Sequence, residues 1–137
     1  MHKHARLLLV DDDEMFRLST TTLLHSQRYA CDSSSNVTQA TTLLHAGLYA
    51  LLISDINMPG DRQFEFITDV IQRYPQLPII LVTGTPILLT LSSAVRPPIA
   101  SFLIKQFSID ALLAYIRTAL NSRPQEHARV SVHAGTG

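Results

Sequence analysis

The chain has 137 residues, a length that fits one domain and buries a real core without disulfide staples. Hydrophobic residues make up 46% and charged residues 16%, which excludes a disordered chain and predicts a packed body. Eleven basic residues cancel eleven acidic ones, so nucleic-acid binding driven by bulk charge is not expected.

Residues 6–10, Arg-Leu-Leu-Leu-Val, read as a first strand. Asp13 or Asp12 then caps a helix over 14–26, with Phe16, Thr20, Leu23 and Leu24 on one face. A short second strand is predicted over 29–32. After the Ser33-Ser34-Ser35-Asn36 loop, a second helix carries Val37, Ala40, Leu43 and Leu44 inward and stops at Gly47. The third strand spans 49–54. A Met58-Pro59-Gly60-Asp61 loop leads to a third helix over 64–74, with Phe64, Ile67, Val70 and Ile71 inward and Pro75 ending it. The fourth strand is 78–82, followed by a short fourth helix near 87–95 that Pro97-Pro98 breaks. The fifth strand is 100–104. Ser108 caps a fifth helix over 109–120, with Ile109, Leu112, Leu113 and Ile116 inward. Five alternations of strand and helix with short loops predict an α/β fold, a parallel sheet covered by helices on both faces. Residues 122–137 lack apolar periodicity and read as a flexible tail or a linker to a further domain.

Four of the strands are continuous apolar runs, the pattern of buried parallel strands, and each ends on a reactive polar residue. The first is followed by Asp11 and Asp12, the third by Asp55, the fourth by Thr83 and the fifth by Lys105. Ligands of open α/β sheets bind at the carboxyl ends of the strands. One sheet holding all four runs therefore gathers three carboxylates, a hydroxyl and an ammonium at one edge. Helix capping explains Asp13 and Glu14 but not two carboxylates placed directly at a strand end. Adjacent carboxylates near a third repel, and a divalent cation relieves the repulsion. Mg²⁺ suits a few carboxylates together with phosphate oxygens. Asp55 can attack a phosphoryl group and hold it as an aspartyl phosphate. Lys105 can meet the phosphoryl oxygens as a point charge and Thr83 can donate a hydrogen bond to them.

These segments, Leu-Leu-Leu-Val-Asp-Asp-Asp-Glu (7–14), Leu-Ile-Ser-Asp-Ile-Asn-Met-Pro-Gly (52–60), Ile-Leu-Val-Thr-Gly (80–84) and Phe-Leu-Ile-Lys (102–105), resemble those of response-regulator receiver domains of two-component signalling. The resemblance covers about residues 5–121. It implies a flavodoxin-like three-layer sandwich with strand order 2-1-3-4-5 and five helices. It further implies that Asp55 accepts the phosphoryl group and that Asp11 and Asp12 form the acidic pair, with Asp12 as the direct Mg²⁺ ligand. Asn57 matches the position whose backbone carbonyl completes the metal site. Thr83 matches the switch hydroxyl, Lys105 the phosphate-contacting lysine and Phe102 the aromatic switch. The implied donor is a histidine kinase or phosphotransfer protein. The implied output is a changed surface on the fourth helix, fifth strand and fifth helix, controlling a partner or output domain. Such a domain is a signalling module, catalysing only its own phosphorylation and dephosphorylation.

Four departures bear on that resemblance. Gln106 stands where the family has proline, so the loop holding Lys105 is expected to differ. Gln63 or Phe64 replaces a usual glycine. The fourth helix is unusually apolar over 87–91, which suggests either a partner surface or a homodimer through the fourth and fifth helices, or burial by a shifted helix. Ala100 and Ser101 lack the acidic residue of a charge-paired dimer. An interaction module working without phosphorylation is the alternative from another class. A phosphohydrolase of similar fold is disfavoured, because Asn57 stands where a second acid–base residue is needed. The single cysteine, Cys31, reads as a buried small hydrophobe and suits a reducing, cytoplasmic setting. No apolar leader precedes the first strand and no membrane span is predicted.

Overall fold

The computed structural model of the chain describes residues 5–56, 58, 65–84, 99–105 and 107–121, and for 99–102 the backbone only. The strands are β1 (Arg6–Val10), β2 (Ala30–Ser34), β3 (Leu51–Asp55), β4 (Ile79–Thr83) and β5 (Ile99–Ile104). The helices are α1 (Glu14–Ser26), α2 (Val37–Ala46), α3 (Glu65–Arg73) and α4 (Ile109–Asn121). All strand pairs are parallel, in the order β2-β1-β3-β4-β5. This is the expected fold and strand order. The predicted helix near 87–95 lies outside the described residues, so α4 here is the helix expected to be fifth.

Side chains alternate across a strand, and the alternation sorts the core into two layers. Leu8, Val10, Leu52, Ile79 and Leu81 point to one face, where Ala40 and Leu44 of α2 and Phe66, Ile67 and Val70 of α3 cover them. Leu7, Leu9, Leu51, Ile53, Ile80, Val82 and Leu103 point to the other, under Leu24 of α1 and Leu112, Leu113, Ile116 and Ala119 of α4. The central runs β1, β3 and β4 are buried on both faces, which is why they read as unbroken apolar text rather than as alternation. Ile109 is an exception to the predicted inward set. It opens α4 at 42% exposure, one turn before the helix reaches the sheet. Met58, read as loop, is buried in the α2–α3 layer. Phe64 lies outside the described residues.

Helix ends follow the sequence closely. Of the two candidates, Asp13 caps α1 and accepts the Phe16 amide. Asn36 caps α2 through the Gln39 amide, and Ser108 accepts the Ala111 amide at the start of α4. Gly47 ends α2 with an ordinary negative φ. Its lack of a side chain matters for space, since a Cβ there would come within 3.0 Å of the Tyr49 ring. The end of α1 is a Schellman turn. Tyr29 N donates to Leu24 O and Arg28 N to His25 O, with Arg28 at φ 71. A non-glycine residue there carries a steric cost of roughly 1 kcal/mol. Arg28→Gly is therefore expected to stabilise the protein by about 1 kcal/mol, read as a higher urea midpoint with an unchanged slope.

At the amino end of the sheet, Arg6 reaches both carboxylate oxygens of Asp32 at 3.1 Å, and the Tyr49 hydroxyl donates to Asp32 at 2.7 Å. These contacts tie β1, β2 and the approach to β3 together. Cys31 is buried beside them, and burial with the nearby Asp32 charge pushes its thiol up to about 12, so it stays protonated and inert.

Candidate functional site

β1 connects to β2 on one side, while its other neighbour in the sheet is β3. The strand order reverses there, and the crevice beyond the carboxyl ends of these two strands is where such sheets hold ligands. Register places the acidic residues in that crevice. Val10 pairs with Ser54, so Asp11 emerges beside Asp55. Both follow the parity of Leu7 and Leu9 or Leu51 and Ile53, and face the α1–α4 layer.

Asp11 and Asp55 are buried and Asp12 is exposed, and one carboxylate oxygen from each lies within 4.8 Å of the others. Lys105 reaches across from the end of β5. Its Nζ donates to Asp11 Oδ1 at 3.0 Å, lies 2.8 Å from Oδ2, and is 3.3 Å from Asp55 Oδ2. The hydrogen bond runs to Oδ1; the shorter Oδ2 separation is an ion pair without hydrogen-bond alignment, and Oδ2 is left buried with no aligned donor. Asp11 Oδ1 also accepts the Asp13 amide at 2.8 Å. Burial pushes the Asp11 carboxyl above the usual carboxylate range, and the Lys105 and Asp13 hydrogen bonds offset this only in part. Burial opposes the charge on Lys105, but Asp11 and then Asp55 hold its ammonium above the ordinary lysine value. The two directions agree on one reading. The lysine is firmly charged, and the buried Asp11 carboxylate is not fully compensated by it.

Three carboxylates and one ammonium leave an excess of two negative charges in the crevice. The three carboxylates offer hard oxygen donors, and Asp12 faces solvent. That set fits a small divalent cation that keeps part of its water shell. The open cleft of about 390 Å³ at the other end of the sheet, lined by Tyr49, Tyr74, Leu77 and Pro78, has no charged residue and is a different environment.

The structure thus brings together Asp11, Asp12, Asp55 and Lys105. Thr83 is fully buried at the end of β4, and its carbonyl accepts the Lys105 amide at 2.6 Å. In the sequence of β4 it follows Ile79 and Leu81 at two-residue spacing. Asn57 and the side chain of Phe102 lie outside the described residues, as does Gln106. Despite the missing proline, Lys105 reaches the acidic crevice. Two neighbours of the site were not singled out from the sequence. Arg17 Nη1 donates to the Asp11 carbonyl at 2.8 Å, pinning the β1–α1 turn. Phe16, read as a core residue, lies under Lys105 with its ring centroid 4.9 Å from Nζ. Their place in the first turn of α1, just after the acidic run, was the available signal.

Residues 7–117 match the model of the response regulator receiver domain. The chain belongs to that family. It is 35% identical over 123 residues to the response regulator protein FleR of Pseudomonas aeruginosa, covering 88% of this chain and 26% of FleR. With the transcriptional regulatory protein BasR of Escherichia coli it shares 27% identity over 115 residues, 84% of this chain and 52% of BasR. It therefore spans about a quarter to a half of these relatives. Among solved structures it resembles the response regulator TrrA of Thermotoga maritima in complex with Mg²⁺ and BeF, with TM-score 0.75 and 28% identity over 85% of this chain and 99% of that one. The receiver domain is a signalling module with an acidic pocket, and no helix among its described residues is long and apolar enough to cross a membrane.

Proposed function

We propose that this receiver accepts a phosphoryl group on Asp55 from a phosphohistidine of a histidine kinase or phosphotransfer protein, with Mg²⁺ held by Asp11, Asp12, Asp55 and the Asn57 carbonyl. The observation that carries the reading is the convergence of three carboxylates within 4.8 Å, with Lys105 bridging two of them. An Asp55 oxygen attacks phosphorus, the P–O bond forms as the P–N bond breaks, and the imidazole leaves. Catalysis is charge neutralisation and alignment rather than covalent activation. Lys105 neutralises phosphoryl oxygens from one side, and bound Mg²⁺ supplies the remaining charge stabilisation. Asp11 anchors Lys105 near Asp55 until the phosphoryl group takes over as its partner.

Thr83, buried at the end of β4, takes the first step of the switch. Its hydroxyl moves to donate to the phosphoryl group on Asp55, and the end of β4 moves with it. Phe102 then turns inward, and the surface of residues 87–95, β5 and α4 changes its partners, including a second copy of the chain. That is a two-state element biased by one charge group, the minimum that coupling between distant surfaces needs. Residues 122–137 serve as a flexible tail or as a linker, in a cytoplasmic protein, and relatives that are transcriptional regulators suggest the kind of process controlled. The domain itself makes no direct contact with nucleic acid.

The deciding experiment is Mg²⁺-dependent labelling with a small phosphodonor. Wild type is expected to take up one acid-stable, base-labile phosphoryl group, and Asp55→Asn none. A wild-type protein that takes no label and binds no beryllofluoride leaves the interaction-module reading in place. Label persisting in Asp55→Asn means that another residue is the acceptor.

A further inference from the structure

The lysine of this site stands on a loop without the usual proline, yet its ammonium is held at two carboxylates. Three contacts account for that. The Lys105 amide donates to the Thr83 carbonyl, and the Phe107 amide donates to the Ile104 carbonyl at 3.0 Å, closing the turn that begins at the end of β5. The third is aromatic. Phe16, on the first turn of α1, lies under the ammonium at 4.9 Å, and Phe107 packs edge-on against it with centroids 6.1 Å apart and planes at 80°. A cation over a ring face is attracted by the ring's quadrupole, and the attraction grows as water is excluded. The edge-to-face neighbour fixes the tilt of that ring. Both rings are half-buried and pack against the α1–α4 layer.

We infer that Phe16 and Phe107 form an aromatic seat that positions Lys105 for the phosphoryl group, Phe16 by its ring face and Phe107 by holding Phe16. The inference rests on the receiver reading of Asp55 and Lys105. The seat restrains the flexible four-carbon stem, so the ammonium swings over a short arc between Asp11 and Asp55 instead of sampling solvent. Phe16 and Phe107 are positioning residues: they touch the lysine, never the phosphoryl group.

The test is titration with beryllofluoride and Mg²⁺, together with NMR detection of the Lys105 side chain. Phe16→Leu keeps apolar volume and loses the ring. It is expected to weaken beryllofluoride binding about tenfold. Phe16→Tyr keeps the ring and is expected to restore it. In a Lys105→Ala background Phe16→Leu is expected to add nothing, which a merely structural role for Phe16 would not produce. In wild type the Lys105 Hε protons are expected upfield from ring current, and at ordinary positions in Phe16→Leu. If Phe16→Leu fails to fold, the Phe16→Tyr and Phe107→Leu proteins and the wild-type Hε shift still decide. Unshifted Hε protons in wild type, or an equal loss from Phe16→Leu with and without Lys105, overturn the seat. Absence of beryllofluoride binding by wild type overturns the receiver reading itself, and the seat with it.

Discussion

Lys105→Met is expected to cost about 3 kcal/mol of stability in metal-free protein, a large share of the roughly 5–15 kcal/mol that holds a domain together. Asp11 is fully buried and Lys105 is its cationic partner at 2.8 Å. Methionine keeps the apolar stem, so packing changes little, but it leaves a buried carboxylate next to Asp55 with no countercharge. Breaking a buried pair costs far more than the intact pair contributes, because the surviving charge keeps its desolvation penalty. Two companions separate this cause from lost packing. Asp11→Asn in the same background is expected to restore most of the loss, and so is Mg²⁺.

Acidification gives the same answer with a definite sign. Burial already holds the Asp11 carboxyl above its ordinary 3.8, and removing the ammonium raises it further. A carboxyl raised by folding favours the folded state below its ordinary value, and that contribution drains away as pH rises through the folded value. The deficit of Lys105→Met is therefore greatest at neutral pH and shrinks as pH falls toward the ordinary carboxylate range. Chemical denaturation of both proteins between pH 4 and 8 checks this; a deficit independent of pH points to packing instead.

The apolar runs ending in Asp11, Asp55, Thr83 and Lys105 were legible because a strand buried on both faces tolerates only continuous hydrophobic text, and that text stops where the sheet meets the crevice. Caps were legible for a similar reason. Asp13, Asn36 and Ser108 offer short-range acceptors, whose partners lie three residues on. Strand limits moved by a residue or two, since Asp55 and Thr83 keep ladder hydrogen bonds that polarity alone does not reveal. What the sequence hid was long-range. Phe16 meets Lys105 across 89 positions, counted from their residue numbers, and a helix-face phenylalanine reads as core whatever lies over it. Ile109 misled for the opposite reason: it keeps the helical period, but the period continues past the point where the sheet ends.

Saturation with Mg²⁺ is expected to raise the melting temperature by on the order of 10 °C. At a concentration a hundredfold above Kd, binding to the native state alone adds about 2.7 kcal/mol. In a domain of this size each kcal/mol moves the midpoint by about 4 °C. The gain has a local source, since the excess of two negative charges around Asp11, Asp12 and Asp55 costs the metal-free fold and is removed by one divalent ion. Asp12→Ala separates this from general salt effects. Asp12 is exposed, so losing it costs the fold little and relieves some repulsion. The variant is expected to melt at or slightly above the metal-free wild type, and to lose most of the Mg²⁺ shift. Sodium chloride at matched ionic strength screens exposed charges equally in both proteins and is expected to move neither by more than a degree or two. A full Mg²⁺ shift in Asp12→Ala places the ion elsewhere; no shift in wild type means that Lys105 alone supplies the charge this crevice needs.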